Sequence, residues 1–77
     1  YNGEGVIKDF TQAIHYFRLA ANQHDTDAQN NLGLCYYEGN GVKKDYVQAV
    51  YYYRLAADQG CADAQYRLAL CYYEGQG

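Results

Sequence analysis

Few side chains in this sequence are of types that do chemistry, and their spacing does not bring them together. Nucleophilic catalysis needs a thiol or hydroxyl, a base and a charge stabiliser converging on one point. The available bases are His15 and His24, and the available thiols are Cys35, Cys61 and Cys71. The cysteines are odd in number and form no Cys-x-x-Cys pair, which speaks against a zinc knuckle, a redox motif or a disulfide framework. They read as small apolar packing residues of a reducing compartment. His24, Asp25 and Asp27 have a spacing that could ligate a metal, but nothing nearby preorganises them. Gly39-Asn40-Gly41 lacks the third glycine of a dinucleotide fingerprint and the Gly-Lys-Ser/Thr ending of a phosphate loop, so it reads as a turn. Glu38 and Glu74 are too far apart in register to act as a carboxylate pair. No catalytic, cofactor-binding or metal-ligating set is assigned, no cofactor is implied, and the chain is read as a non-enzyme.

The elements that carry these residues are repeated. Residues 1–36 are answered by 37–72 at a constant offset of 36, and a third copy begins at 73–77. YNGEGVIKDF is matched by YEGNGVKKDY and by the stub YEGQG, FRLAANQ by YRLAADQ, and DAQNNLGLCY by DAQYRLALCY. A fixed period in the range of about 20–50 residues marks a stacked-repeat architecture. A Cys35–His pair stays open on the sequence, but neither histidine recurs: where His15 and His24 stand in the first copy, the second has Tyr51 and Gly60, and surface histidines are the preferred reading.

Within a copy the apolar spacing is helical. Asp9 and Asp45 precede helical runs and have Gln12 and Gln48 three residues on, the order of a capping box. Ala49, Tyr52 or Tyr53, and Ala56 then follow one stripe, and Gly60 suits a left-handed helix end. His24 stands at the equivalent place in the first copy, so that turn is expected to close differently. The second helix of each copy starts near Asp27 or Asp63, with Ala28, Leu32 and Tyr36 answered by Ala64, Leu68 and Tyr72. Gly33, matched by Ala69, is small enough for a neighbouring helix to come close. Helices are predicted at about 9–22, 27–38, 45–59 and 63–74, joined by short glycine-bearing turns. The absence of proline leaves nothing to break them from inside. The three tyrosines Tyr51-Tyr52-Tyr53 span about 200° of helix, so they cannot all be buried; Tyr52 is expected inside.

The long pattern through Ala28, Leu32, Gly33, Tyr36, Tyr37, Gly39, Gly41, Val42, Asp45, Ala49, Tyr52, Ala56, Ala57, Gln59 and Gly60 resembles the Sel-one-like repeat (SLR) family, relatives of the tetratricopeptide repeats. The resemblance implies an all-α, right-handed solenoid of αα-hairpins, about two repeats and four helices over residues 1–77. It implies an adaptor or scaffold for protein complexes, binding a protein or peptide on a curved helical surface. A secreted branch of that family staples each hairpin with a disulfide; Ala57 and Gln65, near where its cysteines would stand, are not Cys.

The two copies can be compared with each other. Identical positions should be packing: Ala13/Ala49, Leu19/Leu55, Ala20/Ala56, Ala28/Ala64, Leu32/Leu68 and Tyr36/Tyr72 are the expected core. Asn30 and Asn31 diverge to Tyr66 and Arg67. Asn30, Leu34 and Tyr37, answered by Tyr66, Leu70 and Tyr73, form a second stripe, which lines the groove in tetratricopeptide relatives. By that resemblance Asn30, Asn31, Leu34, Tyr37, Tyr66, Arg67, Leu70 and Tyr73 are the candidate partner-binding residues. Leu34 and Leu70 serve equally well for packing one hairpin on the next.

The formal charge is −3 with no cluster of Lys or Arg beyond Lys43-Lys44, so no nucleic-acid partner is expected. No apolar run approaches the roughly 18–20 residues that span a bilayer, and no membrane partner is expected. Repeats cannot bury their faces alone, and neither end reads as a polar cap. The chain is therefore expected to be a slice of a longer array that, isolated, is marginally stable or self-associates through its uncapped ends. The alternative reading is a structural or regulatory array attached to a catalytic domain.

Overall fold

The computed structural model describes residues 9–75. The turn expected at Gly3-x-Gly5 and the last two residues of the third copy lie outside them. Four helices follow one another: α1 Phe10–Asn22, α2 Thr26–Glu38, α3 Tyr46–Asp58 and α4 Ala62–Tyr73. Each packs against its neighbour in the chain, which makes an αα-hairpin solenoid. No helix among the described residues is long and apolar enough to cross a membrane.

The starts follow from side-chain caps. The carboxylates of Asp9, Asp25 and Asp45 accept the backbone N–H of Gln12, Ala28 and Gln48 at 3.0, 2.9 and 3.1 Å, each such cap being worth about 1 kcal/mol. At α4 the capping position is Cys61, which makes no side-chain cap bond. The ends of α1 and α3 are the same motif, contrary to the expectation from His24. Asp25 N–H donates to Ala20 C=O and His24 N–H to Ala21 C=O (3.1 and 2.9 Å); Cys61 and Gly60 do the same to Ala56 and Ala57 (3.1 and 3.0 Å). His24 adopts φ 68° where Gly60 has φ 91°. The turn keeps its geometry because two backbone bonds close it, and the exposed imidazole accepts the left-handed strain instead.

Two apolar clusters form the core. Ile14, Ala21, Ala28, Leu32 and Cys35 make the first, and Ala49, Val50, Tyr53 and Cys71 the second. Among the expected core residues, Ala28, Leu32, Ala49, Ala56 and Ala64 are buried. Leu19 and Tyr72 are not, at 47% and 54% exposed. Tyr36, the counterpart of Tyr72, is covered by Tyr52 of the next hairpin, ring on ring at 5.8 Å, and among the described residues no helix follows α4 to do the same.

The deepest tyrosine of the triplet is Tyr53, only 1% exposed; Tyr52 is half-buried and Tyr51 exposed. The ring of Tyr53 lies against Gly33, where an added Cβ would sit 2.5 Å from Cδ1 and 2.6 Å from Cε1. Gly33 costs α2 about 1 kcal/mol of helix propensity, and in return lets α3 bury a whole aromatic ring.

Three expectations follow for stability, each measured by denaturant melts. Gly33→Ala lowers it by about 1–2 kcal/mol, because the clash with a buried ring outweighs the gained propensity. His24→Gly and Cys61→Asp each raise it by about 1 kcal/mol, the first by relieving a left-handed non-glycine residue, the second by supplying the missing cap.

Candidate protein-binding face

The side-by-side helices α2 and α4 are joined by polar bonds at both ends. Near their starts, Asn30 Nδ2 donates to Asp63 Oδ2 at 2.7 Å, and Arg67 Nε donates to the same oxygen at 3.1 Å. These two donors, Asn30 first, hold the Asp63 carboxyl below its ordinary value. The bond to Asp63 likewise pushes the Arg67 guanidinium up. Near their ends, the Tyr37 hydroxyl donates to Glu74 Oε1 at 2.7 Å. Between the ties lies a small cleft lined by Tyr37, Tyr53, Arg67, Leu70 and Cys71.

Three of the eight candidate residues, Tyr37, Arg67 and Leu70, therefore meet in one cleft. Tyr66 and Tyr73 stand on the same stripe of α4, one turn before and after Leu70, and are 64% and 89% exposed. Asn30, Asn31 and Leu34 are half-buried and line no part of the cleft. Asn30 spends its amide on Asp63, and its Oδ1 is buried without a hydrogen-bond partner among the described residues. The two divergent pairs thus separate: Tyr66 is mostly exposed and has no hydrogen-bond partner among the described residues, whereas Arg67 is half-spent on Asp63.

The glycine-flanked turn after α2 is a helix end: Gly39, at φ 77°, caps α2 by donating to Cys35 C=O. Cys35 and Cys71 are buried, and burial is the first cause that pushes both thiols up, away from the reactive thiolate. Asp25 is occupied in capping α2, and Glu38 is exposed, accepting from Asn40.

Several residues of the scaffold were not singled out by type and spacing. Gln59 Nε2 donates to Gln29 Oε1 (2.6 Å) and to Leu55 C=O (3.0 Å), while Thr26 Oγ1 donates to Gln59 Oε1 (3.1 Å). This ties the end of α3 to the start of α2. Arg18 Nη2 donates to the Tyr36 hydroxyl at 2.6 Å, and Arg54 bonds the Tyr72 hydroxyl in the same way. The signal was present: Gln23/Gln59, Gln29/Gln65 and Arg18/Arg54 all repeat at the 36-residue offset. Each of these repeated long polar side chains makes a hydrogen bond, although only Gln29 is buried.

The Tyr37 tie makes stability fall at high pH. The hydrogen bond to Glu74, then desolvation, raises the Tyr37 hydroxyl from 10.0 to about 12; burial raises Tyr53 as well. The unfolded chain then loses these protons first, so stability present below pH 10 declines as the pH climbs towards 12. Urea melts across this range should show the decline, and Tyr37→Phe should make it shallower.

The chain is matched along its length by the family model for the Sel1 repeat, in units 1–25, 26–61 and 62–77. Each internal unit boundary thus falls at the start of α2 or α4, with the same 36-residue period in the middle unit. A Sel1 repeat protein from Oxalobacter formigenes superposes with a TM-score of 0.88 at 41% identity, over 95% of this chain and 30% of the other. A protective antigen present in uropathogenic Escherichia coli strains, displaying an SLR fold, superposes with a TM-score of 0.89 at 47% identity, over 96% of this chain and 16% of the other. The chain thus spans under a third of either neighbour. No curated protein matches it. Sel1 repeats are in general interaction scaffolds without chemistry of their own. With the repeat matched from end to end and the hairpins superposing on two solved arrays, this chain belongs to the Sel1 repeat family.

Proposed function

We propose that this chain is a protein-interaction scaffold that takes a peptide or a folded partner on the α2/α4 face. The observation that carries the reading is the pairing of two free aromatic side chains, Tyr66 and Tyr73, with a cleft between them on the same stripe. Large tyrosine side chains lose little entropy on docking and are common energetic anchors of interfaces. The platform under them is already ordered: Asn30, Asp63 and Arg67 tie one end, Tyr37 and Glu74 the other. A partner therefore orders few groups when it binds, which conserves affinity. The net charge of −3 and the absence of a basic cluster support a protein partner over a nucleic acid.

A second reading is supported by one observation: the chain spans 30% and 16% of its structural neighbours. In it, the array positions or regulates another domain of a larger protein. The same face would then bind within the parent instead of in trans.

Tyr66→Ala/Tyr73→Ala tests the face. Both side chains are mostly in solvent, so helical CD and the melting midpoint stay unchanged. Capture of the partner by the protein drops at least about tenfold, as expected for losing two interface anchors. Undiminished capture by the folded double variant removes the face from consideration. Arg67→Ala is the poorer test, because it also releases Asp63.

A further inference from the structure

We propose that the junction between α1 and α3 holds a site for a neutral sugar ring, free or as the terminal unit of a glycan. A cavity of about 260 Å³ opens there over the start of α2, at the small end of the range of single-ligand sites. It shares no residue with the α2/α4 cleft, so it stands independently of the protein-binding face. One wall is aromatic: the rings of Tyr51 and Tyr52 lie 5.0 Å apart and 77° from parallel. The rest of the polar lining is uncharged. Gln29 is only 2% exposed, with its Nε2 donating to Ala21 C=O at 3.4 Å and its Oε1 accepting from Gln59 Nε2 at 2.6 Å. That fixed amide keeps one N–H and one lone pair for a ligand. Gln59 Oε1, which accepts from Thr26, keeps one lone pair as well. Asn22 and His24 add an exposed amide and an imidazole at the rim.

The lining decides the class of ligand. No Lys, Arg, Asp or Glu lines the cavity. The C-terminal ends of α1 and α3 both reach it, through Asn22 and Gln59, and their partial negative charge opposes an anion. An imidazole, which takes up a proton itself, opposes a cation. What fits is neutral, carries donors and acceptors along its edge, and offers an apolar face to the tyrosines. A pyranose has that form, with hydroxyls around its rim and C–H groups on its faces. A peptide side chain would bring a single polar tip. Here the polar groups come from four residues, at the end of α1, in the turn after it, on α2 and at the end of α3. His24 is the sharpest pointer. It holds a left-handed φ of 68° where the next copy has Gly60, and backbone strain of this kind gathers at ligand sites. Asn22 is likewise answered by Asp58, so the second copy has neither the imidazole nor the neutral amide.

A chemical-shift titration by NMR tests this, with methyl glycosides of glucose, galactose, mannose and N-acetylglucosamine as probes, each compared with a disaccharide ending in the same ring. At least one should bind with a dissociation constant on the order of 1–10 mM, shifting the side-chain amides of Gln29 and Gln59. A disaccharide that binds several-fold tighter assigns the site to a glycan end, and equal binding assigns it to the single ring; both uphold the proposal. His24→Gly should weaken binding roughly fivefold while stabilising the fold, which separates loss of a contact from loss of structure. His24→Asn tolerates the left-handed turn and keeps a donor and an acceptor, so it should retain most of the affinity. Tyr51→Ala, at an exposed position, should weaken binding by at least about fivefold. Tyr66→Ala/Tyr73→Ala, which touches no part of the lining, should leave it unchanged. The proposal falls if no probe shifts these amides at about 100 mM, or if His24→Gly binds as tightly as the unaltered chain. Binding of a short tyrosine-containing peptide at these amides, with no response to the sugars, overturns it too and gives the cavity to a protein partner.

Discussion

The contact between Tyr53 and Gly33 is the constraint from which the rest of the arrangement follows. A ring that approaches a helix backbone to the point where no Cβ fits fixes both the distance and the rotation of α3 on α2. Since α4 is packed on α3, the same contact sets where α4 lies beside α2. Only at that spacing can short side chains such as Asn30 and Asp63 meet at 2.7 Å, and Tyr37 reach Glu74. The cleft between those ties is then a consequence of the packing: Tyr53 and Cys71 supply its apolar inner wall from the core, and Tyr37, Arg67 and Leu70 the remainder.

Most of the fold was legible in the sequence because it is local and repeated. Capping aspartates, the 3.6-residue apolar spacing and the 36-residue offset are each properties of a few neighbouring residues, and four helices appear within a residue or two of their expected bounds. Rotations about the helix axis were less legible. Tyr52 and Tyr53 are adjacent and of one type, so periodicity alone cannot choose between them. The choice is made 20 residues away, by the missing side chain of Gly33. His24 failed as a signal for the opposite reason: glycine's absence lowers the preference for a left-handed turn by about 1–2 kcal/mol, and two backbone hydrogen bonds together with the packing of both helices exceed that.

The candidate face was partly legible. Comparing the copies found residues that differ, but divergence does not distinguish a free side chain from one that has changed partners. Asn30 and Arg67 differ in type from their counterparts, yet both are engaged on Asp63, one from each helix. In effect the junction uses an amide from α2 and a guanidinium from α4 to satisfy one carboxylate. Tyr66, which takes the place of Asn30 one repeat on, has no such duty and stands in solvent. The amount of a side chain's hydrogen-bonding capacity left over is therefore a better guide to a partner surface here than its variability.

The two arginine–tyrosine bonds extend this reasoning from the cleft to the packing of one hairpin on the next. Arg18–Tyr36 is covered by the next hairpin, whereas Arg54–Tyr72 is open to solvent, yet the same bond forms in both. Its formation therefore does not depend on the neighbour. Each hairpin sets the pose of its own outward tyrosine, and a following repeat finds the ring already in place. That independence is what allows a solenoid's stability to be built from nearly separate units and nearest-neighbour contacts.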